Sequence, residues 1–433
     1  MRTLRIIVLF AIMAGMLAAV GHFQSWPLAL TIVNLCLISA IMSLGLNIQF
    51  GYAGLFNAGV MGFAALGGVA AMLVAMPPVT EAVRAGGLGA LGGMVMLAVA
   101  VVAAMWVHGR LGSGRFAKLV AALVFILGYA ASRYLLGPAT ETIEAIEPAK
   151  TGYLGGLGLP VLIGWLMGGV FAAGAAWMVA KIALGLRSDY LAIATLGISE
   201  IIVAMLKNED WLTRGVKNVN GIPRPVPYEV DLQQSPWAQA QAADWGVGVQ
   251  EFASLTVKLS YAALFLVVLL ILLFLAERAI RSPWGRMMRA IRDNESAASA
   301  MGKNVTARHR QAFVLGSAVI GIAGAMLVTL DGQFTPTSYQ PLRFTFVIWV
   351  MVIVGGAGNN FGAILGGFLV WFAWVQAEPL GQWLMQTITS PMAEGHWLRE
   401  HLLKNAAHMR LMTMGIILLL VMRFAPRGLI PER

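Results

Sequence analysis

Apolar residues fall in twelve blocks along the chain, near 4–21, 28–46, 53–76, 87–107, 117–136, 159–180, 190–206, 255–276, 311–330, 342–357, 361–376 and 411–422. A helix needs roughly 20 apolar residues to cross a bilayer, and several blocks are shorter, so the pattern predicts about 10–12 transmembrane or half-membrane helices. The expected fold class is an all-α polytopic membrane protein, because a helix satisfies its own backbone hydrogen bonds inside lipid. Three places interrupt the pattern. One is Gly51-Tyr52-Ala53-Gly54-Leu55-Phe56-Asn57-Ala58-Gly59, and another is Gly355-Gly356-Ala357-Gly358-Asn359-Asn360-Phe361-Gly362. Both contain Gly-x-Ala-Gly followed by Asn, which hints at an internal repeat. The third is the short run 190–206, which carries Ser199 and Glu200.

Composition removes two classes. Of 433 residues, 59% are hydrophobic and only 12% charged. A soluble domain carries about 25% charged residues, so a soluble enzyme is excluded. Disorder needs low hydrophobicity and high charge and is excluded too. The lone Cys36 permits no intrachain disulfide.

The net charge of +10 reads first as topology. With the N-terminus inside and the segments alternating, the N-terminal residues and the loops 108–118, 181–189, 277–310 and 423–433 are cytoplasmic. They hold 18 of the 30 Lys and Arg but 5 of the 20 acids, the positive-inside bias of a bacterial-type inner-membrane protein. Both termini are then cytoplasmic. The chain reads as a single transmembrane domain over 1–433, with a cytoplasmic loop at 277–310 and a periplasmic insertion at 207–254. The N-terminal run also fits a signal peptide, but is expected to stay as the first membrane helix. The basic residues track these loops, so they predict contact with lipid headgroups and not with nucleic acid.

The loop at 277–310 is the most informative stretch. Ser282 suits a helix N-cap with Pro283 at the first helical position, and Gly302 suits a stop. Trp284, Met287, Ile291, Ala298 and Met301 follow the spacing of one helical face. Arg286, Arg289 and Asp293 lie on another, with Arg289 and Asp293 placed to pair at i, i+4. The prediction is a basic, amphipathic helix or helix pair outside the membrane, its apolar stripe covered by lipid, by the bundle or by another protein.

No Gly-x-x-x-x-Gly-Lys-Ser/Thr, no His-Glu-x-x-His, no paired-Cys motif and no Gly-x-Ser-x-Gly occurs in the chain. His401 and His408 lack a third ligand. Neither cofactor nor metal is expected, and any driven transport takes its energy from an ion gradient or a partner. Broken helices with freed backbone N–H groups suit an anionic substrate group. Asn57, Gly355, Gly358 and Asn359 are therefore candidates for a translocation pathway, beside the alternative of a tight helix crossing. Glu200 joins them, since a carboxylate in an apolar run must face protein or water; its alternative is a structural hydrogen bond.

Glu295-Ser296-Ala297-Ala298-Ser299-Ala300-Met301-Gly302 resembles the Glu-Ala-Ala…Gly loop of ABC-importer permeases, and the longer stretch from Ser282-Pro283-Trp284-Gly285-Arg286 to Gly302 resembles the branched-chain amino acid (LivM/LivH) permeases among them. Further similarity lies in Asp189-Tyr190-Leu191-Ala192-Ile193-Ala194-Thr195-Leu196-Gly197, in Gly221-Ile222-Pro223-Arg224-Pro225, in Val354-Gly355-Gly356-Ala357-Gly358 with Gly362, and in Arg423-Phe424-Ala425-Pro426-Arg427-Gly428-Leu429. The resemblance implies a non-enzymatic permease subunit that passes branched-chain or other hydrophobic amino acids by alternating access. It implies cytoplasmic ABC ATPase subunits, a second related permease and a periplasmic solute-binding protein as partners. It also implies that Arg286, Arg289, Glu295, Ala297, Ala298 and Gly302 serve ATPase coupling. The segments 55–63 and 214–218 depart from the usual motifs, which leaves the solute open; permeases for urea and short amides share the plan, and an ion-coupled secondary transporter is the remaining alternative.

Overall fold

The computed structural model describes residues 2–112, 114–147, 151–390, 392 and 396–432. In chain order the helices are α1 (Arg2–Phe23), α2 (Trp26–Ala53), α3 (Val60–Ala75), α4 (Thr80–Ala82), α5 (Leu88–Leu111), α6 (Arg115–Glu144), α7 (Val161–Ala183), α8 (Ser188–Asn208), α9 (Asp210–Thr213), α10 (Glu229–Gln234), α11 (Pro236–Asp244), α12 (Val249–Arg281), α13 (Pro283–Asp293), α14 (Glu295–Ala300), α15 (Val305–Asp331), α16 (Pro341–Gly355), α17 (Asn360–Thr389), α18 (Trp397–Lys404) and α19 (Met409–Phe424). A π-helical turn over Val83–Gly87 joins α4 to α5. Two short strands, β1 (Val219–Asn220) and β2 (Gln333–Phe334), pair antiparallel.

Each of the twelve apolar blocks is a helix. Among the described residues nine helices are long and apolar enough to cross a membrane; the bent pair α18–α19 makes a tenth candidate, and α3 and α16 are shorter apolar helices of 16 and 15 residues. The protein is an all-α polytopic membrane protein. One interruption expected from sequence does not exist, because residues 190–206 lie inside the unbroken α8. The loop at 277–310 is also shorter than expected: α12 runs on to Arg281 and α15 starts at Val305.

The core is built by α2, α3, α15, α16 and α17, with α7 and α12 packed around it. Close crossings are made by small residues, which let backbones approach when lipid offers no hydrophobic drive. Gly67 and Gly168 lie on Gly321 of α15, and Gly324 lies on Ala64 of α3. The α5–α6 hairpin packs mainly on itself, with the Ser132 hydroxyl donating to the Gly93 carbonyl at 2.7 Å. Its outer faces carry exposed apolar side chains such as Leu119, Leu123 and Val102, which suits lipid contact.

The 207–254 segment is anchored to the far end of α15. Beyond the β1–β2 pair, the N–H groups of Gly221 and Ile222 both donate to the Gly332 carbonyl at 3.1 Å. Gly332 itself is left-handed (φ 64°) and ends α15 there.

Candidate coupling and translocation site

The two glycine-rich breaks meet each other, and they do so at the end of the bundle that carries 282–304. Gly54 is left-handed (φ 70°) and closes α2, while Gly356 and Gly358 have φ of 118° and 84°. Asn47 ties the breaks together: its Oδ1 accepts from the Gly358 N–H at 2.8 Å and its Nδ2 donates to Asn360 Oδ1 at 3.1 Å. The Tyr52 hydroxyl donates to the same Asn360 oxygen. Asn360 in turn donates to Glu277 Oε1 at 3.0 Å, and Glu277 pairs with Arg281 at 2.8 Å. The two breaks thus form one junction. The physical reason is that the glycines admit backbone to backbone: Gly51 faces Gly358, and Gly355 faces Gly362.

A C-terminal strap closes this junction. Leu429 N–H donates to the Val354 carbonyl at 2.8 Å and Ile430 N–H to the Gly355 carbonyl at 2.9 Å. Asn359 caps α17 by accepting from Phe361 and Gly362, and its Nδ2 donates to the Pro431 carbonyl at 3.1 Å. Asn57 is fully buried: it donates to Gln49 at 2.8 Å, accepts from the Gly59 N–H, and its carbonyl accepts from the Trp349 indole at 2.9 Å. So Asn57, Gly355, Gly358 and Asn359 are all engaged in packing or hydrogen bonds around the junction.

Helix α13 keys into the same place. Ser282 caps it, Pro283 stands at its first position, and Asn294 both ends it and caps α14 by accepting from Ala297 N–H at 2.9 Å. Gly302 is left-handed (φ 75°), the stop expected from sequence. Arg292 donates to the Gly51 carbonyl and pairs with Glu432 at 2.8 Å. One guanidinium therefore bonds to the first break and to the strap over the second. The expected Arg289–Asp293 pair is absent from the described ion pairs; Asp293 lies beside Arg292 at 3.4 Å. Arg289 instead lines a cavity of about 160 Å³ with Arg5, Glu277, Asn359 and Glu432. Residues near both ends of the described chain thus share one face with 282–304.

The inner face of α13 is Gly285, Met288 and Ile291, with Met288 fully buried. Ala298 packs in a small cluster with Ile291, Val305 and the half-buried Met287. Met301, placed by spacing on the apolar stripe, is 79% exposed. The reason is the break at Asn294, which restarts the helical phase, so a single stripe cannot run through both helices. Arg286, Glu295, Ala297 and Gly302 are exposed with Met301. Sequence reasoning missed Met288, one step off the chosen stripe. It also missed Arg292, whose partners come from distant segments.

Glu200 stands apart from this site. The buried side of α8 is Leu191, Thr195, Ser199 and Val203, where Thr195 Oγ1 accepts from the Ala58 N–H at 3.0 Å and Ser199 lies against Gly62. Glu200 is on the exposed side, among Ile193, Gly197, Ile201 and Ala204. It points away from the interior of this chain.

The family model for "Branched-chain amino acid transport system / permease component" matches residues 90–422. The LivM permease protein of the high-affinity branched-chain amino acid transport system of Salmonella typhimurium is 27% identical over 270 residues, 61% of this chain and 56% of that protein. The "Probable branched-chain amino acid transport permease protein LivM" of Methanocaldococcus jannaschii is 24% identical over 393 residues, 91% of this chain and 90% of that protein. The LivH permease protein of Escherichia coli is 29% identical over 129 residues, 30% of this chain and 41% of that protein. The match to the Salmonella protein thus spans little more than half its length, and no solved structure matches the chain. A family model that covers most of the chain, on a helical membrane bundle, decides the matter: the chain belongs to the branched-chain amino acid transport system permease component family.

Proposed function

We propose that this chain is a permease subunit of an ATP-driven importer that passes branched-chain or other hydrophobic amino acids across the bacterial inner membrane by alternating access. ATP hydrolysis falls to separate ABC ATPase subunits on the cytoplasmic side, and a periplasmic binding protein delivers the solute. One observation carries the reading. The α13–α14 unit has an inner face that buries Met288 in the core and ties Arg292 to the first break and to the strap over the second, and an outer face with Ala297 and the exposed Met301 left uncovered. A rigid lever with one free apolar tip suits docking into an ATPase groove. Arg286, Glu295 and Gly302 belong to that outer surface; Ala298 packs within the lever, and Arg289 lines the cavity at the junction.

The direct test is Met301→Asp and Ala297→Arg in the assembled transporter. A central docking residue is worth about 2 kcal/mol or more, so ATPase capture and ATP-driven uptake fall more than about tenfold with the melting temperature unchanged. Undiminished capture and uptake in both variants removes the coupling role.

Glu200 fits a second permease subunit as its neighbour. A carboxylate facing lipid near a helix centre costs about 2.5–3.5 kcal/mol on insertion scales, and small Gly197 and Ala204 beside it suit a helix–helix seam. Glu200→Lys is expected to lower co-purification of the partner permease severalfold while this chain still inserts. Unchanged co-purification argues that the face meets water or lipid instead.

A further inference from the structure

A second cavity, of about 240 Å³, lies away from the junction. It is bounded by α2, α3, the end of α15, the 333–339 segment, α16 and α17. Its volume is just below the roughly 300–1,000 Å³ of pockets for drug-sized ligands, which suits one small solute. The wall is mainly aliphatic and aromatic, from residues such as Ile38, Met42, Ile348 and Met351. Ser39, Gln333, Ser338 and Tyr339 bring polar groups into that lining, and three further groups stand out. The Thr335 Oγ1 and the Trp371 Nε1 are buried polar atoms with no hydrogen-bond partner among the described residues. Asp331, the last residue of α15, is exposed and makes no ion pair among the described residues.

Unpartnered buried donors are costly, by about 1–3 kcal/mol each in mutational data, and native proteins rarely leave them without a use. The set has a definite chemistry. A carboxylate attracts an ammonium, two fixed donors attract a carboxylate, and the aliphatic wall accepts an apolar side chain. An alkyl chain would leave all three groups unanswered.

Position adds to this. Asp331 lies at the end of α15 remote from 282–304, since α15 begins at Val305 beside the lever. The inner residues Met61 and Met351 lie in the first turn of α3 and near the end of α16. Those are the helices that start and end at the two glycine-rich breaks. The chamber therefore reaches from the far side of the bundle to the helices that start and end at the two breaks.

We infer that this chamber is a transit site for a single free α-amino acid with an apolar side chain, its ammonium held by Asp331, its carboxylate by the Thr335 hydroxyl and Trp371 indole N–H, and its side chain among Met42, Ile348 and Met351. The inference rests on the permease reading above and adds where the solute passes within this subunit.

The test uses the complete transporter in proteoliposomes with ATP inside or outside as its orientation requires, and labelled leucine and phenylalanine as probes. Ile348→Ala enlarges the chamber, and one or two methylene groups are worth about tenfold or more in discrimination; the phenylalanine-to-leucine uptake ratio rises by about that factor. A gain for the larger solute cannot come from misfolding. Asp331→Asn raises the KM for both amino acids, and Asp331→Glu restores part of it. Wild-type leucine uptake with an unchanged ratio in Ile348→Ala and unchanged KM in Asp331→Asn overturns the chamber while leaving the permease reading intact. Failure of the wild type to move either amino acid, with its ATPase active, overturns the amino acid reading first and the chamber with it.

Discussion

Arg292→Ala is expected to uncouple the transporter. The lever keeps its outer face, so capture of the ATPase stays at the wild-type level, while ATP-driven uptake falls by about thirtyfold. The argument is energetic. Hydrogen bonds to charged groups contribute about 1.5–3 kcal/mol each, and this half-buried guanidinium serves both the Gly51 carbonyl and Glu432. Solvent screening reduces the Glu432 pair towards the ~0–1 kcal/mol of exposed ion pairs, so the net loss is about 2 kcal/mol. What disappears is a side chain that links the lever both to the α2 break and to the strap over the α17 break. Arg292→Lys keeps the charge but not the planar donor geometry, and restores uptake only in part. Parallel measurement of ATPase capture and uptake checks this. Wild-type uptake in Arg292→Ala means that the lever moves the bundle through Met288 packing alone.

Gly324→Leu is expected to prevent a folded bundle. A Cβ at Gly324 falls inside contact distance of the Ala64 carbonyl, backbone against backbone, where α15 crosses α3. Overpacking costs about 1–3 kcal/mol when side chains can shift, and a backbone neighbour has less room to move. The same crossing carries Gly67 on Gly321, so α3 cannot slide away without losing the second contact. Gly324→Ala should lower the melting temperature by several degrees and Gly324→Leu should abolish monodisperse protein in detergent. Gly92→Ala is the control: nothing stands within 4 Å of its added Cβ, and the change should stay within about 0.5 kcal/mol. Equal melting of Gly324→Leu and wild type would show that this crossing is not tight.

Neither the partners of Arg292 nor the Gly324 crossing was legible in the sequence, although the breaks near them were. The glycine clusters at 51–59 and 355–362 were visible as breaks, and their shared Gly-x-Ala-Gly with a following Asn was visible as likeness. Their mutual packing was not, because Asn47 and Asn360 are 313 residues apart, and hydropathy carries no pairing information. Asn57, Gly358 and Asn359 were legible as candidates for a pathway or a tight crossing, but their hydrogen bonds to Gln49, Asn47 and the Pro431 carbonyl of the strap come from remote segments or from the fold itself. Glu200 was legible as an anomaly in an apolar run. Which way it faces depends on what α8 packs against, and that is settled by Ser199 lying against Gly62. The 333–339 segment with Thr335 and Trp371 carried no motif at all; their lack of partners exists only once the chain is folded.

The amino-acid sequence by itself determined the apolar blocks and their reading as about 10–12 helices, the helical membrane class, and the start and stop of the lever at Ser282 and Gly302. These follow from interactions among residues a few positions apart: apolar length against bilayer thickness, a capping hydroxyl, a left-handed glycine. Only the tertiary structure decided that the two breaks meet, that Arg292 reaches a carbonyl 241 residues away, that Met288 is buried while Met301 is exposed, and that a chamber lies above the junction. Those outcomes depend on which helix faces meet, and helix packing is set by close approach of side chains and backbones from remote segments, not by the local pattern of any one of them.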